Sequence, residues 1–239
     1  MEVAIKGLLF DFDGVISSLM GRMGWPFLWA LRKAKPDITR DAVEKVLFKT
    51  GEMVLAERKV SPFFAFETML KIANIEGFNL FRKLQFMIQG GVMYYKSKMN
   101  IIPQPQANET LEQLSRKYKL GLVTTAERNV IERAFLKIPS LKKFDIIITR
   151  EDCKNVKPDP EGIIKGLEGL GLHASQCLYI GDLPSDVLAG KRAKVKVVGI
   201  LGEFESFSKN HVSLYKPNYV LHWLKDLPDL LRKIDGENF

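Results

Sequence analysis

The sequence has little of what cross-links chains or holds soft metals. Its two cysteines, Cys153 and Cys177, show no CxxC spacing, and its three histidines, His173, His211 and His222, follow no ligand spacing. That pattern excludes a disulfide framework and a zinc site. Also missing is any apolar run approaching the roughly 20 residues of a membrane span. The first residues lead into a strand-like segment, with none of the charged start and apolar core of a signal peptide, so a cytoplasmic protein away from membranes is expected. Basic residues are not gathered into a block: 36 Lys and Arg against 28 Asp and Glu give a net charge of +8, spread along all 239 residues. Without a basic, aromatic-interleaved motif, no nucleic-acid partner is expected. A diffuse positive field would instead steer small anions toward the molecule.

What is present is a change of rhythm. The stretch "VAIKGLLF" (3–10) reads as a short buried strand. From 16 to 100 the apolar residues fall at helical spacing instead, in segments 25–34, 39–58, 61–74 and 78–99. Thr39 with Asp41, and Ser61 before Pro62, supply helix starts. Past the punctuation "IIPQPQ" (101–106), strand-like runs at 120–125, 144–149, 177–182, 195–200 and 218–221 alternate with helical runs at 107–118, 126–138, 160–171, 184–193 and 225–234. Such alternation predicts a parallel sheet covered by helices, with the first strand as a member. The expected fold is therefore α/β, a Rossmann-like parallel core (1–15 and 101–239) interrupted after its first strand by an all-helical insertion (16–100).

Ligands of such sheets bind beyond the carboxyl ends of the strands. Standing at those ends are Asp11 and Asp13 after the first, Thr124 and Thr125 after the second, and Asp182 after the fourth, with Asp186 four residues on. Lys157 lies in the polar loop "EDCKNVKPDPEG" after the third. Four carboxylates against one lysine demand a divalent cation, and an all-oxygen ligand set suits Mg2+. A carboxylate in that setting can attack phosphorus to form an aspartyl-phosphate, while a second carboxylic acid two residues along protonates the leaving group and then activates water.

These residues resemble a known family. "DFDGV" (11–15), the strand ending in Thr124, Lys157 in "VKPDP", and "YIGDLPSD" (179–186) look like the four ordered motifs of the haloacid dehalogenase superfamily. Their likeness is to its phosphatase branch with a helical cap, such as phosphoglycolate phosphatase and β-phosphoglucomutase. The resemblance implies Asp11 as nucleophile and metal ligand, and Asp13 as general acid/base whose backbone carbonyl also ligates Mg2+. It further implies Thr124 and Lys157 as phosphoryl-binding groups, backbone donors at Gly14 and Thr125, Asp182 as a metal ligand, and Asp186 as a supporting carboxylate of the metal site. Asp13 separates this chain from the dehalogenases proper, which lack it. Three positions depart from the family pattern: Ser18, Thr125 in place of a common Asn, and Leu183 in place of Ser or Thr.

The helical insertion would choose the substrate, and Arg22 is its candidate for clamping a second anionic group. The expected partner is a small phosphorylated metabolite, acted on by a monomer or homodimer. Competing readings are a phosphomutase with the same site, a phosphonatase using a lysine such as Lys45 or Lys49, and a catalytically silent binding protein; retention of Asp11, Asp13, Lys157 and Asp182 together opposes the last. The scattered histidines, the "GLEGLGL" run (166–172) that closes a helix, and the Phe-rich "SPFFAFETML" (61–70) read as ordinary structure.

Overall fold

The structure, a computed structural model, describes residues 4–39, 42, 70, 73–74, 77–97, 99–204, 212 and 214–236. The expected helices over 39–58 and 61–74 fall largely outside these residues, as do Lys45, Lys49 and His211. The chain divides into two compact units, one of Met1–Ser18 with Ile102–Phe239 and the other of Leu19–Ile101.

The first unit is built on six parallel strands, β1 (Gly7–Phe10), β2 (Lys119–Val123), β3 (Ile146–Ile148), β4 (Cys177–Gly181), β5 (Lys196–Ile200) and β6 (Tyr219–Leu221), in the order β3-β2-β1-β4-β5-β6. The helices of the chain are α1 (Trp25–Ala34), α2 (Leu80–Ser97), α3 (Ala107–Leu114), α4 (Arg128–Ala134), α5 (Glu161–Leu170), α6 (Pro184–Arg192) and α7 (Leu227–Ile234), the last five belonging to the first unit. The paired strands are shorter than the apolar runs that announce them, because burial continues past the end of the ladder: Ile5 is buried ahead of β1. Both faces of the central strands are covered, so β1 and β4 are buried at every position, as parallel sheets require. Leu9, Val123, Tyr179 and Val197 from the strands meet Ile163, Leu167 and Leu170 of α5 and Val187 of α6 in one core.

Chain order reverses between β1 and β4: from β1 the sheet grows through β2 and β3 on one side, then β4, β5 and β6 extend the other. This is the switch point at which open α/β sheets present a crevice.

In the second unit, a five-residue π-helical turn at Met20–Gly24 leads into α1, whose first turn carries Pro26 where the missing N–H costs nothing. Ala30, Leu31 and Ala34 pack with Phe78 and Phe86, and the Phe86 ring meets Phe27 and Phe78 edge-on at 5.6 and 5.8 Å. Among the described residues this unit contains no strand, and among the described residues of the chain no helix is long and apolar enough to cross a membrane.

Candidate active site

Two carboxylates are brought together by strand register alone. Phe10 of β1 pairs with Ile180 of β4, so Asp11 leaves its strand beside Gly181, the last residue of β4, and Asp182 follows at once. The Asp11 N–H donates to the Ile180 carbonyl at 2.8 Å, holding the first of them to the neighbouring strand. Both side chains are buried. A third, Asp186, stands in the first turn of α6, and its Oδ2 accepts the N–H groups of Leu183 (2.9 Å) and Asp182 (3.2 Å). It thus satisfies donors that a helix start leaves open and sits favourably at the positive end of the dipole. Helix start and site carboxylate are the same residue.

Two glycines make this crowding possible. Gly14 has φ +80°, and a Cβ there would lie 1.8 Å from Asp182 Oδ2; at Gly181 a Cβ would come within 2.3 Å of the Asp186 Cβ. Any side chain at either position would displace a carboxylate.

Lys157 comes from the loop between β3 and α5. Its Nζ is 2.8 Å from Asp11 Oδ1, 2.6 Å from Asp186 Oδ1 and 3.0 Å from the Tyr179 hydroxyl, which in turn donates to Asp186 Oδ1 at 3.0 Å. The loop is held from two sides. Glu161 accepts the N–H groups of Lys154 and Asn155 at 3.0 and 2.9 Å, and Arg192 of α6 donates to the Pro158 carbonyl at 2.7 Å. Tyr179 was not among the sequence candidates. A hydroxyl inside the otherwise apolar strand "CLYIG" is the signal that points to it, because a buried O–H needs partners.

The charges are far from balanced. Three carboxylates and one ammonium share a buried pocket, and the cost falls on protonation. Burial pushes the Asp11 carboxyl up to about 7, with Lys157 opposing and Asp186 and Asp13 reinforcing the rise. Burial, Asp186 and Asp11 likewise hold Asp182 well above the carboxylate range. For Lys157 burial works the other way, but Asp11 and Asp186 outweigh it and keep the amine charged. Tyr179 stays a neutral phenol, its proton held by burial and by Asp186.

The residues singled out from sequence are thus distributed unequally. Asp11, Asp182 and Asp186 present ligand atoms within 4.8 Å of one another, the one such group among the described residues. Asp13 lies outside that group and is half-buried. Thr124 is buried, its Oγ1 accepting the Ala126 N–H at 3.0 Å, while Thr125 is exposed on the turn that follows. The Gly14 N–H donates to the Ser17 carbonyl at 2.7 Å, so the glycine serves the site by admitting Asp182. Arg22 belongs to the second unit and is buried. Ser18 Oγ donates to Glu203 at 2.7 Å.

The donor set fits a hard divalent cation. Asp11 Oδ1 and Asp182 Oδ1 are both buried without an aligned hydrogen-bond donor, and a cation would satisfy and neutralise such oxygens. No thiol or imidazole joins them.

Residues 8–200 match the family of haloacid dehalogenase-like hydrolases. The chain is 35% identical over 130 residues to the pyrophosphatase PpaX of Bacillus mycoides, covering 54% of this chain and 59% of that protein. Against the PpaX of Bacillus velezensis it is 36% identical over 121 residues, covering 50% and 55%. The chain therefore spans less than two thirds of the length of either relative. Among solved structures, a predicted phosphoglycolate phosphatase of Haemophilus somnus superposes with a TM-score of 0.68 at 19% identity, over 95% of this chain and 97% of that one. The β-phosphoglucomutase of Clostridium difficile gives 0.58 at 22%, over 98% and 100%. At such identities these two show a shared fold.

Proposed function

The chain belongs to the haloacid dehalogenase-like hydrolases, and from that membership we propose that it is a Mg2+-dependent phosphatase acting on small phosphorylated metabolites. The observation that carries this reading is the Lys157 ammonium, buried 2.8 Å from the Asp11 carboxylate at the switch point of the sheet. A nucleophile and a phosphate-binding cation in one buried pocket are what phosphoryl transfer asks of a protein.

Asp11 attacks phosphorus through a carboxylate oxygen, and the bond to the leaving oxygen breaks as the aspartyl-phosphate forms. Asp13 gives its proton to that leaving oxygen. It then takes one from the water that attacks the phosphorus, which frees Asp11 and releases inorganic phosphate. Lys157 and the Thr124 hydroxyl neutralise and orient the phosphoryl oxygens. Asp11, Asp182 and the Asp13 carbonyl would hold the Mg2+ ion, with Asp186, whose oxygens already accept three hydrogen bonds, bracing Asp182 and Lys157 from behind. When bound, the ion cancels carboxylate charge and draws electron density from the phosphoryl group. Choice of substrate is assigned to the second unit, where Arg22 is the candidate anion-binding group.

Phosphate release from p-nitrophenyl phosphate, inorganic pyrophosphate and a panel of sugar and acid phosphates tests the proposal. We expect turnover with Mg2+, none with EDTA, and a loss of at least about a thousandfold in Asp11→Asn. Full activity in EDTA, or in that variant, would overturn it. Pyrophosphate earns its place in the panel from the likeness to PpaX.

A further inference from the structure

The geometry points to Tyr179 as a positioning residue that aims the Lys157 ammonium, an inference that rests on reading Lys157 as the phosphoryl-binding cation. Three oxygens surround Nζ, and they do not hold it in the same way. Asp11 Oδ1 at 2.8 Å and Asp186 Oδ1 at 2.6 Å are at ion-pair distance, and Asp11 Oδ1 lies off the axis of any hydrogen bond. The Tyr179 oxygen at 3.0 Å is an aligned acceptor. The two carboxylates anchor the ammonium by charge at short range, and the Tyr179 oxygen adds an aligned hydrogen bond that fixes the direction of one N–H. With one N–H committed to Tyr179, the other two are placed by tetrahedral geometry.

The two partners differ in how firmly they are mounted. The Lys157 ammonium sits at the end of a flexible four-carbon stem on an irregular loop. Tyr179 has two side-chain torsions, lies in a strand buried at every position, and is itself fully buried. Its ring packs under α6, where a Cβ on Gly190 would meet Cδ1 at 3.6 Å. The hydroxyl has no remaining freedom either, because its proton goes to Asp186 Oδ1 at 3.0 Å. Its lone pairs must therefore face Lys157. The acceptor is also neutral, so it directs the ammonium without adding to a pocket that already holds three carboxylates.

Tyr179→Phe keeps the ring and removes the oxygen, so it is the test. Two readouts are taken: steady-state kinetics on whichever phosphate the wild type hydrolyses, and the rate at which Lys157 is acetylated by an amine-reactive ester in the same 239-residue chain, read by mass spectrometry. We expect kcat to fall about tenfold with KM within about twofold, the scale of one lost hydrogen bond in the transition state, together with faster acetylation of Lys157. A purely structural role would lower the melting temperature and leave both readouts unchanged, which would overturn the inference. The acetylation arm stands apart from activity: faster labelling of Lys157 in a protein that releases no phosphate would sustain the positioning role and sink the phosphatase reading. Should Tyr179→Phe fail to fold, the lysine 15N–1H spectrum of the wild type decides. Lys157 ammonium protons in slow exchange with water support the inference, and protons exchanging as fast as those of exposed lysines overturn it.

Discussion

Asp11 illustrates how one residue's surroundings set its chemistry. Buried beside two other carboxylates, it would take a proton at neutral pH if nothing else intervened; its carboxyl is pushed up to about 7, against 3.8 for an ordinary aspartate. The native state then holds a proton that the unfolded chain has released, so stability falls as pH rises from about 4 to about 7 and levels off beyond. Asparagine at this position carries no such proton. In EDTA, Asp11→Asn should gain stability relative to the wild type across that window, by up to about 1.4 kcal/mol per pH unit. Urea denaturation of the two proteins at pH 4.5, 6 and 7.5 checks it, and a constant difference would refute it. Residue-scale features also explain what was readable beforehand. Asp11, Asp13 and Asp182 follow apolar runs, where charge is conspicuous, whereas Lys157 lies in a polar loop and stands out only beside its proline in "VKPDP". Tyr179 is less conspicuous, because it lies inside a strand where an aromatic is ordinary; the sequence shows a hydroxyl that needs partners, and its two hydrogen bonds show which they are.

At the scale of elements, α6 does more than cover the sheet. Its first turn carries Asp186 into the site, and its last places Arg192 on the carbonyl of Pro158, next to Lys157. One helix thus fixes both the carboxylate and the loop bearing its cationic partner. Arg192→Ala, which removes a surface-exposed side chain and touches no carboxylate of the site, should cost about 1 kcal/mol of stability. It should also speed amide exchange over Lys154–Asp159, which hydrogen-exchange mass spectrometry would detect; unchanged protection there would show that the loop holds its shape without α6. The extent of each element was less legible than its existence. Apolar runs mark what is buried, and burial extends beyond the residues that pair, as Ile5 ahead of β1 shows. Gly14 teaches a related lesson: a glycine after two aspartates suggests a backbone donor for phosphate, yet its N–H is taken by Ser17 and its missing Cβ is what the fold uses.

For the molecule as a whole, the carboxylate cluster is a stress that a bound cation would relieve. A divalent ion that binds the native site and not the unfolded chain stabilises by RT ln(1 + [L]/Kd), about 2.7 kcal/mol at a hundredfold excess over Kd. Thermal unfolding with increasing Mg2+ should therefore shift upward in the wild type and stay fixed in Asp182→Asn; equal shifts in both would place the ion elsewhere. The sequence by itself determined the alternation of strand and helix in the sheet-bearing unit and the set of polar residues at strand ends, because periodicity and burial are local properties. Only the tertiary structure decided which of those residues meet. Lys157 reaches Asp11, Asp186 and Tyr179 because the sheet sets β4 against β1 and passes β2 and β3 to the other side. That order arises from the packing of whole layers, and no window of neighbouring residues contains it.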